Sequence, residues 1–79
     1  MSIKLTLFTK ENCGLCDEAK EVIHSIKLEK DIEINEIDIY SDDALLEEYQ
    51  LMIPVIQIEG KTIAYGKIHR NDILNVINR

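Results

Sequence analysis

The 79-residue chain predicts one α/β domain, residues 1–79, with a mixed four-stranded sheet and helices on both of its faces. Three observations carry that reading. Short isoleucine- and valine-rich runs bounded by turn residues mark strands. Stretches with apolar residues at helical spacing separate the first three of them. A short glycine-containing connection then joins the last two strands as a hairpin.

Ile3-Lys4-Leu5-Thr6-Leu7-Phe8 alternates apolar and polar residues and reads as the first strand. Thr9-Lys10-Glu11-Asn12 follows as a polar loop. From Cys13 onward, Cys16, Ala19, Val22, Ile23 and Ile26 share one helical face, and the helix is expected to end between Lys27 and Lys30. Asp17, Glu18, Lys20 and Glu21 fall mostly on its wet side. Residues 32–39 form a second strand whose apolar phase slips between Ile34 and Ile37, which predicts a bulge or a partly exposed edge.

Ser41-Asp42-Asp43 supplies capping and acidic residues for a second, short helix through Ala44, Leu45 and Tyr49. Residues 53–58 read as a third strand, Glu59-Gly60-Lys61 as a tight turn, and residues 62–65 as a fourth strand. Ile68, Ile73, Val76 and Ile77 mark a last amphipathic helix. The order is β-α-β-α-β-β-α, in which the first β-α-β crossover requires a right-handed connection between parallel strands. The tyrosines Tyr40, Tyr49 and Tyr65 are expected to be packing residues. The sequence contains no internal repeat, linker or low-complexity segment.

Fifteen acidic against nine basic residues give a formal net charge of −6. That sign repels phosphate backbones, and no basic stripe offsets it, so nucleic-acid binding is not expected. No segment approaches the roughly 20 apolar residues of a membrane helix. A cytoplasmic, monomeric protein with no membrane partner is the expectation.

The only two cysteines lie in one unit, Cys13-Gly14-Leu15-Cys16. Disulfide-stapled secreted mini-proteins usually carry four or more, and a bridge across two residues closes too small a loop to stabilise much. Chemistry explains the pair better. Cys13 stands where a strand passes into a helix, so its sulfur meets the unpaired N–H groups of the first turn, which favour a thiolate. Cys16, one turn along and more enclosed, is placed to resolve a mixed disulfide. Lys10, three residues earlier, adds positive potential. The competing use of such a motif is a zinc or iron–sulfur site. It needs further ligands, for which only His24 and His69 are available; as isolated residues these read as surface or capping histidines.

The run Thr9-Lys10-Glu11-Asn12-Cys13-Gly14-Leu15-Cys16, followed by Ile53-Pro54 and Gly60, resembles the glutaredoxin branch of the thioredoxin-like superfamily over nearly the whole chain. The resemblance implies thiol–disulfide exchange with protein or mixed disulfides through Cys13 and Cys16. It also implies a cis-Pro54 facing the pair, backbone hydrogen bonds from Ile53 to a substrate strand, and a site lysine at Lys10. No bound cofactor is implied; glutathione or a flavoprotein reductase would supply the electrons, and a dedicated donor role, for example to ribonucleotide reductase, is the alternative. This sequence departs from the pattern at Gly14-Leu15, where glutaredoxins carry proline and an aromatic. It departs again at Ala64-Tyr65-Gly66-Lys67, with Asp72 beyond, where they carry paired glycines. The second departure argues against tight glutathione binding.

Overall fold

A computed structural model of the chain describes residues 2–78. The elements are β1 (Ile3–Thr9), α1 (Gly14–Lys27), β2 (Ile32–Asp38), a 3-10 turn (Ile39–Ser41), α2 (Asp43–Tyr49), β3 (Val55–Ile58), β4 (Lys61–Tyr65) and α3 (Arg70–Ile77). The sheet order is β2-β1-β3-β4. β1 and β2 are parallel, and the other two pairs are antiparallel. Both the α/β class and the order of elements agree with the sequence expectation.

The two faces of the sheet are covered unequally. Leu5 and Leu7 of β1 and Ile56 and Ile58 of β3 pack with Ala19, Ile23 and Ile26 of α1 and Ile73 of α3. All are buried, and each large aliphatic among them contributes about 1.5–3 kcal/mol by leaving water. On the opposite face Phe8 and Val55 meet Leu45, Leu46 and Tyr49 of α2. The Tyr49 ring stacks on Phe8 with centroids 4.6 Å apart. Its hydroxyl accepts a bond from Gln57 Nε2 at 3.2 Å.

These two faces explain the phase slip in β2. The register runs without interruption from Ile3↔Ile32 to Thr9↔Asp38, so β2 has no bulge. Ile32 and Ile34 serve the α1 face, and Ile37 serves the α2 face. The strand is an edge, as expected. The irregularity lies between β3 and β4 instead, where Gln57 pairs with Thr62 and Ile56 with Ala64, leaving Ile63 as the extra residue.

The hairpin turn is Glu59-Gly60, both at positive φ (51° and 83°), and Lys61 already belongs to β4. This is the two-residue geometry that matches strand twist. Glu59 is held there by a bond from Lys4 N–H to its carboxylate and one from its own N–H to the Lys4 carbonyl.

β3 begins at Val55 rather than Ile53. Pro54 has no N–H to give a ladder, and the Ile53 N–H turns back to the Tyr49 carbonyl. Ile68 precedes α3 rather than lying in it. α3 is instead entered through the His69 N–H, which donates to the Asp72 carboxylate at 3.0 Å.

Candidate active site

Strand register brings three loops to one end of the sheet. Phe8 pairs with Val55, and Val55 pairs with Tyr65. The end of β1, the start of β3 and the end of β4 therefore form one row. The loop to Cys13 leaves from the first, Pro54 precedes the second, and Gly66 follows the third.

From Thr9 the chain must turn sharply into α1. Asn12 makes that turn at φ +55°, a left-handed conformation that asparagine tolerates better than most side chains. Cys13 is then the N-cap in extended backbone (φ −121°, ψ 108°). Its Sγ accepts a hydrogen bond from the Cys16 N–H at 3.2 Å. A sulfur thus occupies the position that serine or aspartate takes in an ordinary N-cap, and one orphan donor of the first turn is committed to it.

The two cysteines are joined as a disulfide, with Cα atoms 5.2 Å apart. Their environments differ. Cys16 is fully enclosed, whereas Cys13 is half-buried at the rim beside exposed Gly14 and Leu15. A Cβ placed on Gly14 would meet nothing within 4 Å, so the surface is open at that residue.

The Ile53–Pro54 peptide bond is cis and the Pro54 ring is buried. The carbonyls on either side of Ile53, those of Met52 and Pro54, both accept from the Gly66 N–H, at 3.0 and 2.9 Å. The Ile53 N–H donates to the Tyr49 carbonyl at 3.2 Å. Lys10 is half-buried in a cleft lined also by Glu11, Lys20, Glu36 and Asp38. Lys20 pairs with Glu36 at 3.3 Å. The positive charge of Lys10 therefore sits among carboxylates between α1 and the C-terminal end of β2.

Thr9 lies in the run that the resemblance rests on and Gly66 in the run that departs from it, but their local roles had no signal in the sequence. Thr9 is the buried polar residue of the described chain, at the end of β1, with its hydroxyl donating to the Lys10 carbonyl at 3.4 Å. Gly66, at φ +72°, opens the β4–α3 connection and donates its N–H to the Pro54 carbonyl. Of the tyrosines only Tyr49 packs as expected; Tyr40 and Tyr65 are about 60% exposed (62% and 60%). His24 is exposed, and among the described residues no three His, Cys, Asp or Glu side chains converge as a metal site.

A family model described as glutaredoxin-like domain (DUF836) matches residues 4–78. The chain belongs to this glutaredoxin-like family. Two proteins named "Probable Thioredoxin" are similar to it. One, from Methanothermobacter thermautotrophicus, is 33% identical over 81 residues, covering 99% of this chain and 95% of the relative. The other, from Methanothermobacter marburgensis, is 32% identical with the same coverage. Among solved structures, a Nitrosomonas europaea protein superposes with a TM-score of 0.82 at 22% identity, over 98% of this chain and 92% of that one. A mutant thioredoxin from Halobacterium salinarum gives 0.72 at 20% identity, over 98% and 73%. These two likenesses are of fold. The glutaredoxin-like membership and the Cys13–Cys16 pair fit a redox function. No helix among the described residues is long and apolar enough to cross a membrane.

Proposed function

We propose that this glutaredoxin-like protein is a dithiol oxidoreductase that reduces protein or mixed disulfides, with Cys13 as nucleophile and Cys16 as resolving thiol. The observation that carries the reading is the asymmetry of the pair: Cys13 is half-buried and its Sγ accepts a helix-start N–H, while Cys16 is enclosed. An N–H aimed at sulfur favours the thiolate, which is the attacking species.

In the reduced protein, Cys13 thiolate attacks one sulfur of the substrate disulfide. A Cys13–substrate bond forms, and the other substrate sulfur leaves as thiolate. Cys16 then loses its proton and attacks Cys13 Sγ. The second substrate sulfur departs, and the protein is left oxidised by two electrons with the Cys13–Cys16 bond. The departing substrate thiolate or solvent takes the Cys16 proton.

Pro54 and the Ile53 carbonyl are assigned to the substrate strand, and Lys10 to the outer electrostatics of the loop. Electrons return from glutathione or from a flavoprotein reductase. The second is favoured by the exposed Tyr65 side chain and Ala64 where a glycine pair would let glutathione lie against the backbone. Reduced thiols of this kind belong in a reducing compartment such as the cytoplasm. A monomer is favoured by the sheet edges, acid-lined at β2 and short and irregular at β4.

The test is the Cys16→Ser variant incubated with an oxidised protein substrate. It is expected to accumulate a mixed disulfide through Cys13, and in the reduced wild-type protein Cys13 is expected to alkylate before Cys16. Prior alkylation of Cys16, or trapping by Cys13→Ser instead, reverses the assignment.

A further inference from the structure

Five large apolar side chains are exposed among the described residues: Leu28 is the C-cap of α1 and Tyr40 lies in the 3-10 turn after β2, and the other three are Leu15, Leu51 and Tyr65. Leu15 stands between the cysteines at 42% exposure, Leu51 stands on the loop into Pro54 at 95%, and Tyr65 ends β4. All three belong to segments that meet at the disulfide end of the sheet. Exposed apolar side chains on the segments that meet at a reactive pair offer a contact to another molecule.

Charge identifies what covers it. Residues 31–60 contain nine acidic residues and no lysine, arginine or histidine, whereas the rest of the chain has six acidic and nine basic residues. The whole net negative charge therefore comes from β2, α2 and the segments joined to them. All nine carboxylates are exposed, and among the described residues only Glu36 has an ion-pair partner. α2 leads directly through Leu51 to Pro54, so the exposed carboxylates Asp43, Glu47 and Glu48 lie on the element that enters this end of the sheet.

We infer that this end of the molecule docks a basic protein, whose disulfide lies beside an apolar side chain and is flanked by lysine and arginine. The inference rests on the redox reading above and names its partner. The apolar contact is made at Leu15, Leu51 and Tyr65, and the cations lie over α2. An anionic tripeptide thiol such as glutathione is disfavoured by the same field. Unpaired carboxylates beside the contact speed encounter and set orientation, and this steering is lost as salt screens it.

The experiment uses two synthetic probes. Each is a peptide pair joined by a disulfide with leucine beside the cysteine, fluorophore and quencher on opposite sides, and flanks of either lysine and arginine or glutamate. The reduced protein is expected to open the basic probe about tenfold faster at about 0.01 M ionic strength, with the contrast largely gone at about 1 M. Combined D43K, E47K and E48K reverses the preference, and Leu51→Ser slows both probes. Equal rates at low salt, or a preference that survives in the triple variant, overturn the inference while leaving the redox reading intact. The wild-type salt dependence decides alone should the triple variant fail to fold. Salt-sensitive dimerisation in sedimentation velocity, abolished in the triple variant, overturns it by giving the face to a second copy, through Lys61, Lys67 and Arg70. Reduction of neither probe overturns the redox reading and this inference with it.

Discussion

Cys13 has two duties in this structure, and they separate by substitution. Its sulfur is the reactive atom of the proposed chemistry, and it also caps α1 by accepting the Cys16 N–H at 3.2 Å. Cys13→Ser and Cys13→Ala both remove the chemistry and the disulfide, so a comparison between them isolates the cap. Serine keeps an acceptor at the N-cap; alanine leaves the Cys16 N–H without its partner. The difference expected for an N-cap is about 1 kcal/mol, within a range of about 0.5–2. α1 is a helix of 14 residues with Cys16, Ala19, Ile23 and Ile26 buried against the sheet, so loss of its cap is felt by the whole fold. For a domain of this size, 1 kcal/mol corresponds to about 4–8 °C in Tm. Thermal unfolding followed by circular dichroism should therefore place Cys13→Ala below Cys13→Ser by about that interval. Equal melting, or a higher Tm for alanine, would show that the N–H is satisfied elsewhere and that the sulfur is not its cap.

Ile56→Ala removes a fully buried side chain between α1, α3 and the sheet, and urea unfolding should show a loss of about 2–5 kcal/mol. Gly66→Ala meets no neighbouring atom, so its cost is that of φ +72° alone, about 1–2 kcal/mol by the same measurement; no loss would mean that the connection relaxes. Arg70→Ala breaks a 2.6 Å bond to Ser25 Oγ and an ion pair with Glu29. Because Arg70 and Glu29 are both partly exposed, its loss should stay below about 1 kcal/mol and shrink in high salt. In a glutathione-coupled assay on a small mixed disulfide, turnover should fall well below that of a dithiol glutaredoxin; comparable turnover would refute the argument from Ala64 and Tyr65.

The order of elements was legible because each was announced by a local pattern. Ala19, Ile23 and Ile26 fixed the buried face of α1, and the hairpin was marked by Gly60. What escaped depended on partners distant in sequence. The shift of apolar phase in β2 is identical whether a strand bulges or is covered on both sides, and only the position of α2 decides between them. Residues 53 and 54 look like strand by composition, yet the Tyr49 carbonyl takes the Ile53 N–H and Pro54 has none to give. Asn12 looked like an ordinary polar loop residue, because nothing local distinguishes a required positive φ from a tolerated one. Tyr40 and Tyr65 show the limit of expecting an aromatic to be packed. Cys13 and Cys16 were legible as a pair, while the enclosure that separates their proposed roles comes from the sheet beneath α1.

The Gly66 amide, shared between the carbonyls on either side of Ile53, gives the loop its own spectroscopic witness. Its proton is released to solvent only when the Met52–Pro54 segment parts from the end of β4. Its exchange rate therefore measures the free energy of that local opening, which can lie anywhere from near zero to the full stability of the domain. One resolved resonance would follow the substrate side of the site in both redox states without any label on sulfur. Protection gained on adding a disulfide-bearing partner would locate binding at this loop even where no electrons were exchanged.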